Sequence, residues 1–116
     1  MSVRIVVAFS NRGLMKEMSA TLHRLGHTVA AFTDGQLALD AAEDSDVLIT
    51  QVRLPPGRPH GLSLARMAKR RRPSIRVLFV DLPEMQPYLE QWGYFVPTPA
   101  TISDVAAAVE RLLRTP

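Results

Sequence analysis

Cysteine is absent from the 116 residues, which excludes disulfides, thiolate metal sites and a cysteine nucleophile. With no call for an oxidising compartment, a cytoplasmic location is the expectation. Long apolar runs are missing too. Near the start the longest is Ile5 to Phe9, far short of a membrane span or a signal-peptide core. Repeats, linkers and low-complexity segments are absent, as are a glycine-rich phosphate loop, a nucleophile–base pair and a cluster of metal ligands. No cofactor or metal is therefore expected, and an enzyme ranks last among the functions to consider. What is present, 47% hydrophobic and 22% charged residues, is the balance of a globular protein. The length suits one domain, residues 1–116, with a single proper core.

The formal charge is +3, and six of the fourteen basic residues fall between Arg66 and Arg76 (Arg66, Lys69, Arg70, Arg71, Arg72, Arg76). Such a patch suits phosphate or an acidic partner, or it is a solvated helix end complementing the negative pole of the helix dipole. No aromatic residue is interleaved for base stacking, so the sequence argues against nucleic acid.

Apolar periodicity alternates regularly along the chain. Strands are predicted over Val3 to Ala8, Thr28 to Phe32, Asp46 to Gln51, Arg76 to Val80 and Tyr94 to Val96. Between them lie helical patterns. The first carries Leu14, Met18, Leu22 and Leu25 and is stopped by Gly26; the second is capped by Asp34 and carries Leu37, Ala38 and Ala41. The third spans Gly61 to Arg71 and ends before Pro73. A fourth over Glu84 to Gln91 is interrupted by Pro87 unless that proline sits in the first turn. A last helix capped by Thr101 or Ser103 carries Ile102, Val105, Ala106, Val109, Leu112 and Leu113. Five strands alternating with five helices imply an α/β, doubly wound parallel sheet, with the flavodoxin-like order 2-1-3-4-5 natural at this size.

In such a sheet the working site lies at the carboxyl ends of the central strands. The residues expected to converge there are Phe9, Ser10 and Asn11, then Gln51, Asp81 and Thr98. The stretch DVLITQVRLPPG, residues 46 to 57, delivers Gln51 to the rim just before a Pro-Pro-Gly turn. A carboxamide is a poor nucleophile, acid or base. Gln51 reads as a satisfied strand-end residue or one hydrogen-bonded to nearby backbone, and Phe9 as an apolar plug. Asp81, ahead of Leu82-Pro83, is an exposed or capping aspartate, or else a displaced acceptor. His23 and His27 straddle Gly26 without further ligands, His60 opens the third helix, and Met15, Met18, Met67 and Met85 read as core filling. Tyr88 and Trp92 mark either an exposed contact patch or packing on the fifth strand.

The segments RIVVAFSN, LHRLGHTV, DVLITQVRLPPGRPHGLSLARMAKRRRPSIRVLFV and VPTPATISDVAAAVERLL together resemble the receiver domain of two-component response regulators. The resemblance covers essentially the whole chain. It implies a phosphoacceptor aspartate where this sequence has Gln51, and two magnesium-binding acidic residues where it has Phe9 and Ser10. It implies a phosphoryl-binding Ser or Thr at Asp81 and a lysine at Thr98, before Pro99. Only the aromatic switch position is kept in kind, as Phe95. These departures remove nucleophile, metal anchor and charge neutralisation together. A pseudo-receiver is the expectation, acting in signal transduction as a phosphorylation-independent interaction module for a protein partner. The resemblance implies a partner or homodimer face on the fourth helix, fifth strand and fifth helix, with Tyr88, Trp92 and Tyr94. The first strand opens at residue 3 and the chain ends two residues past the last helix, so no output domain is expected unless this is a fragment of a longer regulator. An alternative is a small-molecule binder whose crevice at Phe9, Ser10, Gln51 and Asp81 would favour a neutral or cationic ligand.

Overall fold

The computed structural model describes residues 2–53 and 60–115. Its elements are β1 (Arg4–Ala8), α1 (Arg12–Arg24), β2 (Thr28–Phe32), α2 (Gly35–Ala42), β3 (Val47–Thr50), α3 (Gly61–Arg71), β4 (Arg76–Asp81), α4 (Gln86–Leu89), β5 (Tyr94–Pro97) and α5 (Ile102–Arg114). The strands form one parallel sheet in the order β2-β1-β3-β4-β5. Burial follows from place. All of β3 and most of β1 and β4 are buried on both faces, which is why they read as continuous apolar runs. The edge strands β2 and β5 carry exposed residues.

Alternate residues of the central strands feed two cores, as the period of two requires. Ile5, Val7, Phe9, Ile49, Leu78 and Val80 pack with Met18, Leu22, Val105, Val109 and Leu112 of α1 and α5. Val6, Ala8, Leu48, Val77 and Phe79 pack with Leu39, Leu64, Ala68 and Leu89 on the opposite face. Met15 and Met18 belong to the first core, and Met67 and Met85 lie against the second.

Helix ends follow local chemistry. The Asn11 side chain accepts from Leu14 N at 2.9 Å, and Asp34 accepts from Gln36 N and Leu37 N. Gly26 ends α1 with φ +97°, a conformation a side chain would strain. Thr101, not Ser103, caps α5, in a capping box with Asp104.

Several predicted boundaries need correction. Asp46 and Gln51 fall outside β3, and Asp46 instead accepts from Arg4 N at 2.9 Å and pairs with Arg72 at 3.2 Å. β1 opens at Arg4, while β4 and β5 each run one residue further, to Asp81 and Pro97. The predicted helix Glu84–Gln91 is a 3₁₀ turn, Pro83–Met85, followed by the single α turn of α4. Pro87 sits in the first turn of α4, where its missing N–H costs no bond. The expected Pro-Pro-Gly turn at residues 55–57 lies outside the described residues.

The basic cluster is spread over separate tasks. Arg71 pairs with Glu43 at 2.7 Å and Asp40 at 3.5 Å, and Lys69 Nζ donates to the Ile75 carbonyl. Arg66 lies 5.0 Å from the Trp92 ring centroid, and Arg76 donates to the Leu112 carbonyl. The buried His27 accepts from Val3 N through Nδ1, and its Nε2 lies 3.4 Å from Glu110 of α5. His23 is exposed on α1.

Candidate functional site

The carboxyl ends of β1, β3, β4 and β5 enclose an open crevice of about 390 Å³. Phe9, Leu14, Val52, Val80, Leu82 and Met85 give it apolar walls, and Gln51, Arg53, Asp81 and Thr98 line the rest. Four of the residues expected at the rim, Phe9, Gln51, Asp81 and Thr98, do converge there. Ser10 stands beside them through its bonds to Gln51. Asn11, also expected, is occupied in capping α1.

Phe9 follows β1 directly, bonds through its N–H to the Phe32 carbonyl, and buries its ring in the core under α1 and α5. At 2% exposure, the ring fills the floor on the β1 side. Ser10 is exposed, and its backbone N–H and hydroxyl both lie within bonding reach of Gln51 Oε1, at 3.2 and 3.4 Å. The other end of the same carboxamide is engaged as well: Gln51 Nε2 donates to the Arg53 carbonyl at 2.5 Å. Gln51 thus straps the end of β1 to the chain leaving β3, using an acceptor and a donor at once. Below it the buried Thr50 hydroxyl lies 3.1 Å from the Ala8 carbonyl and 3.0 Å from the Gln51 carbonyl.

Asp81 ends β4. Its Oδ2 accepts from Val52 N at 2.7 Å and its Oδ1 from Leu82 N at 2.7 Å. Its carbonyl accepts from Thr98 N at 2.8 Å, joining the end of β5 to the same rim. Among the described residues, the only acidic side chain of the crevice lining is therefore taken up by backbone donors. Gly61 backs onto this rim from the start of α3. A Cβ there would fall 2.2 Å from Val52 Cα and 2.4 Å from the Gln51 carbonyl oxygen, so only glycine lets the two backbones approach so closely.

Two features escaped sequence reasoning. Arg53 is exposed; among the described residues it is the one cation of the lining, and its guanidinium has no ion-pair partner there. It therefore offsets the expectation that the crevice favours neutral or cationic ligands. Its signal was its position two residues beyond Gln51. The second is the double backbone bond of Asp81, which needs β3 and β4 to be neighbours before it can be seen.

Phe95 is half-buried and packs against the core under α3 and α4. Trp92 is half-buried against that core with Arg66 over its ring, whereas Tyr88 is 65% and Tyr94 41% exposed. Among the described residues no three His, Cys, Asp or Glu side chains are grouped to hold a metal ion, and no helix is long and apolar enough to cross a membrane.

No family model and no curated protein matches the sequence. Among solved structures the chain is similar to the BeF3-activated DrrB receiver domain, at 28% identity over 99% of this chain and 100% of that one, with a TM-score of 0.84. It is similar to the receiver domain of the hybrid histidine kinase CckA, at 26% identity over 96% of this chain and 99% of that one, with a TM-score of 0.78. NtrX from Brucella abortus matches in fold, with a TM-score of 0.85 and 22% identity over 97% of this chain; the chain spans 28% of the NtrX length. The structural neighbours are response-regulator receiver domains, and five parallel strands in the order 2-1-3-4-5 with five helices are the flavodoxin-like receiver fold.

Proposed function

We propose that residues 1–116 are a single receiver-type signalling domain, without enzymatic activity, that works in the cytoplasm as a phosphorylation-independent module for binding a protein partner. The observation that carries this reading is the state of Gln51. At the position where an acceptor carboxylate would stand, a carboxamide is held by Ser10 at one end and the Arg53 carbonyl at the other. Acyl phosphate formation needs a carboxylate nucleophile, and a carboxamide gives no comparable intermediate. The neighbours support the same reading. Phe9 offers no oxygen to a magnesium ion and Ser10 only a neutral one, so the carboxylate anchor that octahedral magnesium prefers is missing. Thr98 brings no charge to neutralise a phosphoryl group. Arg53 could offset some charge, but a cation without a nucleophile forms no bond.

The contact surface in this reading is the face of α4, β5 and α5, through which the domain binds its partner or a second copy of itself. Tyr88 and Tyr94 are its exposed aromatic residues, the type enriched in interface cores; Trp92 supports it from behind. The engagement of Arg66, Lys69, Arg71, Arg72 and Arg76 within the fold speaks against a nucleic-acid partner. The test is incubation with acetyl phosphate and magnesium followed by intact-mass measurement. No phosphoryl adduct is expected, and an adduct on any crevice residue would overturn the proposal.

A second reading is favoured by one observation, the apolar walls of a crevice whose volume of about 390 Å³ falls in the range of small-molecule sites. With Arg53 at its edge and Asp81 already bonded, it suits a small apolar molecule bearing at most one negative group. A thermal-shift screen with a metabolite panel separates this reading from the first.

A further inference from the structure

We propose that Val52 N–H and Leu82 N–H form an oxyanion cradle which the Asp81 carboxylate fills from within, giving the domain a permanent internal anion at the rim of its sheet. The inference rests on the reading that Gln51 carries no phosphoryl group, and it assigns Asp81 the part of a built-in occupant rather than an incidental polar residue. Three observations carry it. The two donors come from different segments, one just after β3 and one just after β4, and each lies 2.7 Å from a different oxygen of the same carboxylate. Such short bonds from backbone N–H to a charged acceptor are the strong kind, and two convergent backbone donors are how proteins hold small oxyanions. The anchoring is also continuous with the rest of the rim, since the Asp81 carbonyl takes Thr98 N at the end of β5.

The consequence is a rim with one arrangement. An external oxyanion entering this crevice would meet donors already taken and a negative charge in its place. Because Leu82 leads directly into the Pro83–Met85 turn and α4, the same bond fixes where the face bearing Tyr88 begins. A domain so held presents that face constantly, with no external anion needed to set it.

The test is a pair of variants followed by amide NMR. Asp81→Ala empties the cradle, and titration with formate should produce saturable shifts centred on the Val52 and Leu82 amides, while the wild-type protein shows none there. Formate shifts that are absent from Asp81→Ala, or equal in the two proteins, would overturn the cradle. Asp81→Asn covers the case in which the alanine variant fails to fold. Its side chain presents one oxygen and one NH2 group, so one of the two amides loses its partner and should exchange hydrogen roughly tenfold faster than in wild type. Unchanged protection of both amides would refute the proposal. Phosphoryl transfer to the wild-type protein would instead defeat the functional reading and leave the formate result to stand or fall alone.

Discussion

Gln51 and Asp81 divide the work at the rim by their chemistry: a side chain that both donates and accepts joins β1 to the chain after β3, and one that only accepts joins the chain after β3 to β4. Gln51→Glu keeps the shape but turns an oxygen toward the Arg53 carbonyl, replacing a bond with a repulsion. It should cost about 1–3 kcal/mol in urea denaturation, and unchanged stability would mean that the strap contributes nothing. Gly61→Ala should cost at least as much, about 1–3 kcal/mol of overpacking, because its methyl group meets backbone at Val52 and Gln51 and not a yielding side chain. The amides of those two residues should shift in the variant's spectrum; an unperturbed spectrum would contradict the close approach. At this scale the sequence showed which residues stand at strand ends, since a strand's last apolar residue is visible in the pattern. It did not show the bonds of Asp81 or the place of Arg53, because both depend on which strands are neighbours and how the chain leaves them.

Among the elements, the short segment from Pro83 to Leu89 separates exposed from supporting aromatics. Tyr88→Ala removes an exposed ring and should change stability by no more than about 0.5 kcal/mol, while weakening partner binding or self-association. Trp92→Ala removes a ring packed on the core and stacked by Arg66, and should cost about 2 kcal/mol. A thermal melt of each variant checks the split, and equal losses would mean that the two rings have the same role. Thr101→Ala should cost about 1 kcal/mol through loss of the α5 cap, read from the same melts. The elements themselves were legible where propensity and period agreed: the buried runs of β1, β3 and β4, and the apolar spacing of α1, α3 and α5. The fourth helix was overread. Its predicted span includes residues that instead form a 3₁₀ turn and the loop into β5, with Pro83 and Pro87 each opening a short turn and Leu89 and Trp92 packed on the core.

For the molecule as a whole, the sheet order follows from burial: strands apolar on both faces must lie inside, and those with exposed residues at the edges. That logic places the crevice, and the side chains at its mouth then decide what the fold can do there. In this chain Gln51 is bonded to Ser10 and to the Arg53 carbonyl, and the one carboxylate among the described lining residues is held by backbone donors. The most direct test of the central claim is an amide NMR titration of the wild-type protein with magnesium and then beryllofluoride, a phosphoryl mimic, following Gln51, Asp81 and Phe95. No shifts at those residues are expected at millimolar ligand. Saturable shifts centred on the rim would contradict the account, because they would mean that the site still takes up a metal ion or a phosphoryl-like anion.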